Sequence, residues 1–206
     1  TAIFTIPIGV LTALYLEEFA SDNLFTKIIK INVSNLAGVP SIIYGLLGLA
    51  FFTYTLSLGK SLLAGALTMT LLVLPIVIIA SQEAIRTIQP SLKDAAYALG
   101  ATKWEVSKRV ILPHSIGGIM SGIILAMSRA IGETAPILII SSLVFITMVP
   151  SGPMDRFTIL PLQIYTWAAF PQDDFRAIAS TGIIVLLLIL IVMNSIAVYI
   201  RFRTQD

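Results

Sequence analysis

TGIIVLLLILIVMNSIAVYI, the stretch Thr181–Ile200, runs twenty residues without a charge and is closed at once by Arg201 and Arg203. Roughly 17–25 predominantly apolar residues are enough for a helix to cross a bilayer, so this segment reads as a membrane span. Working outward from it, other stretches have the same character. Thr1–Leu16 is apolar up to Glu17-Glu18 and reads as the tail of a span that begins upstream. Val39–Leu58 is a second candidate and contains Gly45 and Gly48. Leu62–Ala80 is a third, with Pro75 as an expected kink that neighbouring helices can accommodate. Ile116–Val149 is a fourth, longer than one straight span requires.

Composition points the same way. Of the 206 residues, 57% are hydrophobic and 12% charged, with a mean hydropathy of +0.95. Soluble domains carry about 25% charge, and one core of this size cannot hide so much apolar surface. A net charge of +2 leaves a nucleic-acid role without an electrostatic footprint. With no cysteine, disulfides and thiolate metal sites are excluded. The chain opens inside an apolar run, without a basic n-region or a cleavage site, so no signal peptide is read and an earlier segment is expected.

Three less apolar stretches lie between the spans. Glu17–Lys30 mixes charges with Phe19, Leu24, Phe25, Ile28 and Ile29, the pattern of a helix lying at an interface. Glu83–His114 is the most polar part of the chain. Ser151–Ala179 holds Pro153, Pro161 and Pro171, with Tyr165 and Trp167 suited to a lipid–water boundary. Alternating the spans puts Lys27, Lys30, Arg86, Lys93, Lys103, Lys108, Arg109, Arg201 and Arg203 on one side. Lys60, Arg156 and Arg176 fall on the other. The positive-inside rule then makes the Glu83–His114 loop and the C-terminus cytoplasmic.

Within that loop, Ser91 is the expected N-cap of a short helix Leu92–Leu99, with Asp94 closing a capping box. Gly100 sits where a residue of positive φ would end it. A second amphipathic stretch, Lys103–Val110, leads through Leu112-Pro113 into the next span. Two short helices at an angle would form a knob suited to a pocket on a soluble partner. Asp94-Ala95-Ala96, three residues, Gly100, nine residues, then Val110-Ile111-Leu112-Pro113 resembles the "EAA" loop of ABC-importer permease subunits. The family pattern has Glu where this chain has Asp94, and Ile where it has Val110. Arg129–Pro136 (RAIGETAP), Asn35–Gly45 (NLAGVPSIIYG) and Leu160–Tyr165 (LPLQIY) are similar to segments of phosphate ABC-importer permeases of the PstA type.

That resemblance covers the whole chain and implies an all-α, polytopic helical membrane protein with the type I ABC-importer permease fold. It implies one transmembrane permease domain over residues 1–206 with a coupling loop at 83–114. Five spans are visible and six are expected in a complete subunit. The implied partners are a second permease (PstC type), ATPase subunits (PstB type), an external phosphate-binding protein (PstS type), membrane lipid and inorganic phosphate. Asp94, Ala95, Ala96, Gly100, Leu112 and Pro113 would couple to the ATPase. No cofactor or metal is implied.

Arg129 and Glu133 are charges inside an apolar stretch. Arg129 stands fourteen residues beyond Ser115, roughly 21 Å along a helix, which is deep in a hydrocarbon core about 30 Å thick. A central charge costs at least about 2.5–3.5 kcal/mol on insertion scales. Spacing of i,i+4 would put both residues on one helix face. Two readings stay open: an ion pair that fixes packing, or an arginine that meets an oxyanion through its planar fork while Glu133 holds it. The resemblance favours the second and adds Thr134 to the pathway. Sulfate or molybdate would fit the same architecture.

Other features are set aside. Gly59-Lys60-Ser61 resembles half a P-loop, but Tyr54 stands where its first glycine is needed, so ATP hydrolysis is expected on a separate subunit. His114, the only histidine, reads as an interfacial residue. Gly118 and Gly122 have the GxxxG spacing that permits close helix packing. An intramembrane enzyme would need a nucleophile–base pair or a metal cluster, and the sequence offers neither.

Overall fold

Leu62–Arg86 is one unbroken helix of 25 residues. The computed structural model describes residues 1–141 and 150–205. Its helices are α1 (Ala2–Leu14), continued by a wider π turn over Tyr15–Phe19, and α2 (Leu24–Ala37). Next come α3 (Ser41–Gly48), continued by a π turn over Leu49–Thr55, and α4 (Leu62–Arg86). The short helices α5 (Pro90–Ala98) and α6 (Lys103–Val106) precede a π turn at Ser107–Ile111 and α7 (Leu112–Gly132). Last are α8 (Ala135–Ser141), α9 (Leu160–Ala169) and α10 (Asp173–Gln205).

Among the described residues four helices are long and apolar enough to cross a membrane: Ala2–Phe19, Leu62–Arg86, Lys103–Gly132 and Asp173–Ile200. A fifth is counted if Leu24–Ala37 and Ser41–Thr55, interrupted at Gly38–Pro40, form one broken span. Two expectations are corrected here. The stretch Ile116–Val149 is not one long helix, because its helix starts earlier, at Lys103, and stops at Gly132. Pro136 is the cause: lacking an N–H, it cannot bond the Gly132 carbonyl four residues back. Residues 142–149 of that stretch lie outside the described residues. The interface helix read at Glu17–Lys30 instead starts at Leu24, where the Asn23 side chain accepts the Thr26 N–H at 2.9 Å.

The chain divides into two compact units, each assembled from separate stretches of sequence. One contains Val39–Leu72 and Ser128–Met193. Here α4 begins without free backbone donors, because the N–H groups of Leu62 and Leu63 bond the carbonyls of Asp155 and Pro153, both at 2.8 Å. Asp155 in turn accepts the N–H groups of Ser151 and Gly152 at 2.8 Å each. Phe157 packs its ring over Gly65 and joins Met69, Ile137 and Leu162 in a buried cluster. Gly45 lies against the backbone of Pro136, and Gly48 against Thr68.

The other unit contains Ala2–Gly38, Val73–Met127 and Asn194–Asp206. Its contacts depend on missing side chains. A Cβ at Gly9 would stand 2.7 Å from Val77 Cγ1, one at Gly118 would stand 2.8 Å from the Ala84 Cβ, and one at Gly122 would stand 2.6 Å from the Ala80 Cβ. The GxxxG spacing of α7 therefore meets an Ala80-xxx-Ala84 spacing on α4. In lipid such close approach replaces the hydrophobic drive that packs soluble helices. Ser121 Oγ, on the same helix, bonds the Gly117 carbonyl at 2.8 Å.

A Gly122→Val substitution forces two helix backbones apart, since the atom it meets is a Cβ fixed to the facing helix. Overpacking of this kind costs about 1–3 kcal/mol. The expected outcome is a lower thermal unfolding midpoint in detergent, partly restored by adding Ala80→Gly. Gly152→Ala, whose added Cβ would meet only Asp155 Oδ2 at 3.9 Å, should leave the midpoint unchanged.

Candidate functional site

The loop between α4 and α7 is built around a glycine turn. Gly100 has φ +84°, a conformation that L side chains rarely adopt. Its N–H bonds the Tyr97 carbonyl at 2.9 Å, and the Ala101 N–H reaches back to the Ala96 carbonyl at 3.2 Å. Those two bonds make a Schellman turn that closes α5. The start of α5 differs from the expectation. Gln89 is its N-cap, with no side-chain bond, and Pro90 occupies the first turn, where its missing N–H is harmless. The capping box read at Ser91 and Asp94 is absent. It occurs instead at the next helix, where Thr102 Oγ1 accepts the Glu105 N–H at 3.3 Å and Glu105 Oε2 accepts the Thr102 N–H at 2.9 Å.

The second loop helix is also longer than the expected Lys103–Val110. It passes through the π turn at Ser107–Ile111 into α7, so Lys103–Gly132 is continuous. In the π turn the Leu112 N–H bonds the Ser107 carbonyl, five residues back. This wider turn directly precedes Pro113, whose ring cannot bond the Arg109 carbonyl. Asp94, Ala95, Gly100 and Pro113 are exposed, whereas Ala96 and Leu112 are half-buried. Leu99 is 90% exposed and Trp104 60%. A groove of about 310 Å³ lies in the angle of the loop, lined by Leu99, Gly100, Glu105, Val106, Arg109 and Val110.

In the membrane stretch, Arg129 sits exposed in the last turn of α7, and Glu133 and Thr134 form the break before α8. The Glu133 N–H bonds the Ala130 carbonyl at 3.3 Å, and the Thr134 carbonyl accepts the Leu138 N–H at 2.9 Å. Glu133 is therefore outside the helix that carries Arg129, and the i,i+4 geometry is lost. No ion pair joins the two residues among those the structure describes. The break is seated by Gly45, where an added Cβ would stand 2.8 Å from Pro136 Cα.

The structure also gathers a site that sequence reading missed. Glu17 takes the guanidinium of Arg86 through both oxygens, at 2.9 and 3.0 Å, with Lys30 Nζ at 3.1 Å and Gln82 Nε2 at 2.8 Å. Arg86 also bonds Glu83 at 2.8 Å. Glu18 pairs with Lys93 of α5. The Glu17 and Glu18 side chains are only 12% and 8% exposed. The available signal is the doubled acid Glu17-Glu18 at the end of an apolar run.

Helices of this length and apolarity define a multi-span membrane protein. The fold is similar to that in a solved structure of the MetNI methionine ABC transporter in inward-facing conformations, with a TM-score of 0.75 at 16% identity over 98% of this chain and 87% of that one. The family model for binding-protein-dependent transport system inner membrane components matches residues 5–206, and the chain belongs to that family. It is 34% identical over 205 residues to the phosphate transport system permease protein PstA 1 of Mycobacterium tuberculosis (strain CDC 1551 / Oshkosh), covering 98% of this chain and 66% of that protein. To the PstA permease of Yersinia pestis it is 32% identical over 196 residues, covering 93% of this chain and 64% of that one. The chain thus spans about two thirds of the length of these relatives. It is a multi-pass membrane component of a transport system.

Gly100→Val places a branched side chain at positive φ, where an L residue loses roughly 1–2 kcal/mol. Hydrogen exchange at Leu99–Ala101 is expected to speed up about tenfold, the equivalent of 1.4 kcal/mol. Exchange within α4 and α7 should not change.

Proposed function

We propose that this chain is the permease subunit of an ATP-driven importer of inorganic phosphate. It would form the translocation path with a homologous permease of the PstC type. ATP hydrolysis would reside on PstB-type subunits, and a PstS-type binding protein would deliver phosphate from outside. The observation that carries this reading is the likeness to PstA permeases along nearly the whole chain, joined to a glycine-closed loop with an exposed apolar tip. In this reading Asp94, Ala95, Ala96, Gly100, Leu112 and Pro113 dock the ATPase. Its stroke enters the membrane along the continuous helix Lys103–Gly132.

Arg129, Glu133 and Thr134 belong to the solute path in the same reading. Arg129 lacks an internal carboxylate partner among the described residues and is exposed, so its fork is available to phosphate oxygens. Thr134 adds a hydroxyl at the helix break. The loop and the C-terminus face the cytoplasm, as the distribution of Lys and Arg favours.

Orientation is tested by single cysteines, which have no native background. Leu99→Cys should react with impermeant thiol reagents only from the cytoplasmic side. Met154→Cys, 55% exposed at the wild-type residue, should react only from outside. The reverse pattern would overturn the orientation and the docking role of the loop.

The solute is tested by uptake of labelled phosphate and sulfate in a cell lacking its own phosphate permease. Phosphate alone should accumulate, and uptake of sulfate instead would overturn the reading. Arg129→Gln should abolish phosphate uptake with the amount of assembled complex unchanged. Arg129→Lys keeps the charge without the fork and should retain partial uptake. Normal uptake by assembled Arg129→Gln would remove this residue from the path.

A further inference from the structure

Helix α5 carries the loop's signature residues, yet none of its side chains is buried. Within Pro90–Ala98 only Lys93 and Ala96, three residues apart on one face, are even half-covered. Apolar packing therefore cannot fix where this helix stands. Two features can. One is the Gly100 turn that ties α5 to α6, and the other is the ion pair between Lys93 and Glu18. Glu18 is a firm anchor, because it lies in the π turn that ends α1. Its neighbour Glu17 is held there by Arg86 and Gln82 of α4 and by Lys30 of α2. Three carboxylates (Glu17, Glu18, Glu83) and three cations (Lys30, Arg86, Lys93) balance in charge and, through the adjacent residues Glu17 and Glu18, tie the end of α1 to α2, α4 and α5.

We propose that Glu18 and Lys93 are positioning residues for coupling: their ion pair fastens α5 to the end of α1. A force on the loop then moves the Glu17 cluster, and with it α1, α2 and α4, in addition to α7. Lys93 adjoins Asp94, but its ammonium is paired with Glu18, so in this assignment it serves the loop's attachment. The inference rests on the coupling-loop reading above. It goes beyond that reading by adding a second route into the membrane helices.

The test measures phosphate-stimulated over basal ATP hydrolysis in the assembled, vesicle-reconstituted importer, with the amount of complex quantified. Wild type, Lys93→Met, Lys93→Glu, the swap Lys93→Glu with Glu18→Lys, and Gly100→Val are compared. Both single Lys93 changes should lower the stimulated-to-basal ratio about fivefold or more, the lower range of allosteric couplings. The swap should restore it, an outcome that a contact between Lys93 and the ATPase would not produce. A normal ratio in Lys93→Met, or a swap that assembles and stays uncoupled, would overturn the inference. If Gly100→Val uncouples while the Lys93 variants do not, the coupling-loop reading stands and this inference falls. If Gly100→Val is also normal, both fall. Should Lys93→Glu fail to assemble, Lys93→Met and the swap decide.

Discussion

In hydrocarbon, an apolar helix gains nothing from another helix that lipid tails would not also give it, so helices must attract each other by fitting closely. In the unit holding Ala2–Gly38 and Val73–Met127, the fit comes from one stripe of α4. Val77 receives α1 at Gly9, while Ala80 and Ala84 receive α7 at Gly122 and Gly118. Spacings of three and four residues put all three positions of α4 on adjoining parts of its surface. The ends of α1, α4 and α7 are thereby set. The ion cluster at Glu17 and the loop beyond Arg86 both depend on where those ends fall.

The second constraint is that backbone N–H and C=O groups at membrane depth need partners inside the protein. Two irregularities here show local adjustment. Pro113 denies a bond to the carbonyl of Arg109, and the preceding turn widens so that the Leu112 N–H bonds Ser107. Pro136 ends α7 at Gly132, and the Glu133 N–H and the Thr134 carbonyl bond Ala130 and Leu138. Gly45 then leaves room for the Pro136 backbone. A proline and a glycine far apart in sequence thus create one break and seat it.

Membrane character, the positions of most spans and the Gly100 turn were legible because each depends on local composition or on a single backbone requirement. The neighbourhood of Arg129 and Glu133 was less so. Their i,i+4 spacing is a helical argument, and the effect of Pro136 three residues beyond Glu133 outweighs it. The loop's N-cap was misassigned for a similar reason. Pro90, pre-set for the first helical position, starts the helix ahead of Ser91, so Ser91 falls inside it and its side chain is not at the capping position. Of the Glu17 cluster only the doubled acid was legible and its partners were not, since Glu17 lies 69 residues before Arg86 and Glu18 lies 75 before Lys93. Only the packing of α1 on α4 brings those charges together.

Charge itself then divides into two kinds. The acids and bases around Glu17 answer one another, sum to zero, and are placed where water can reach their outer atoms. Such pairs set geometry more than they add stability. Arg129, in the last turn of a membrane-length helix, and Glu133, just beyond it, have no such partners among the described residues. With no carboxylate partner among the described residues, Arg129 is open to a counterpart such as a facing subunit or an anion in transit. The guanidinium's flat fork matches the second as well as any side chain can. That match, together with a helix interrupted at the same depth, supports the proposed path for phosphate.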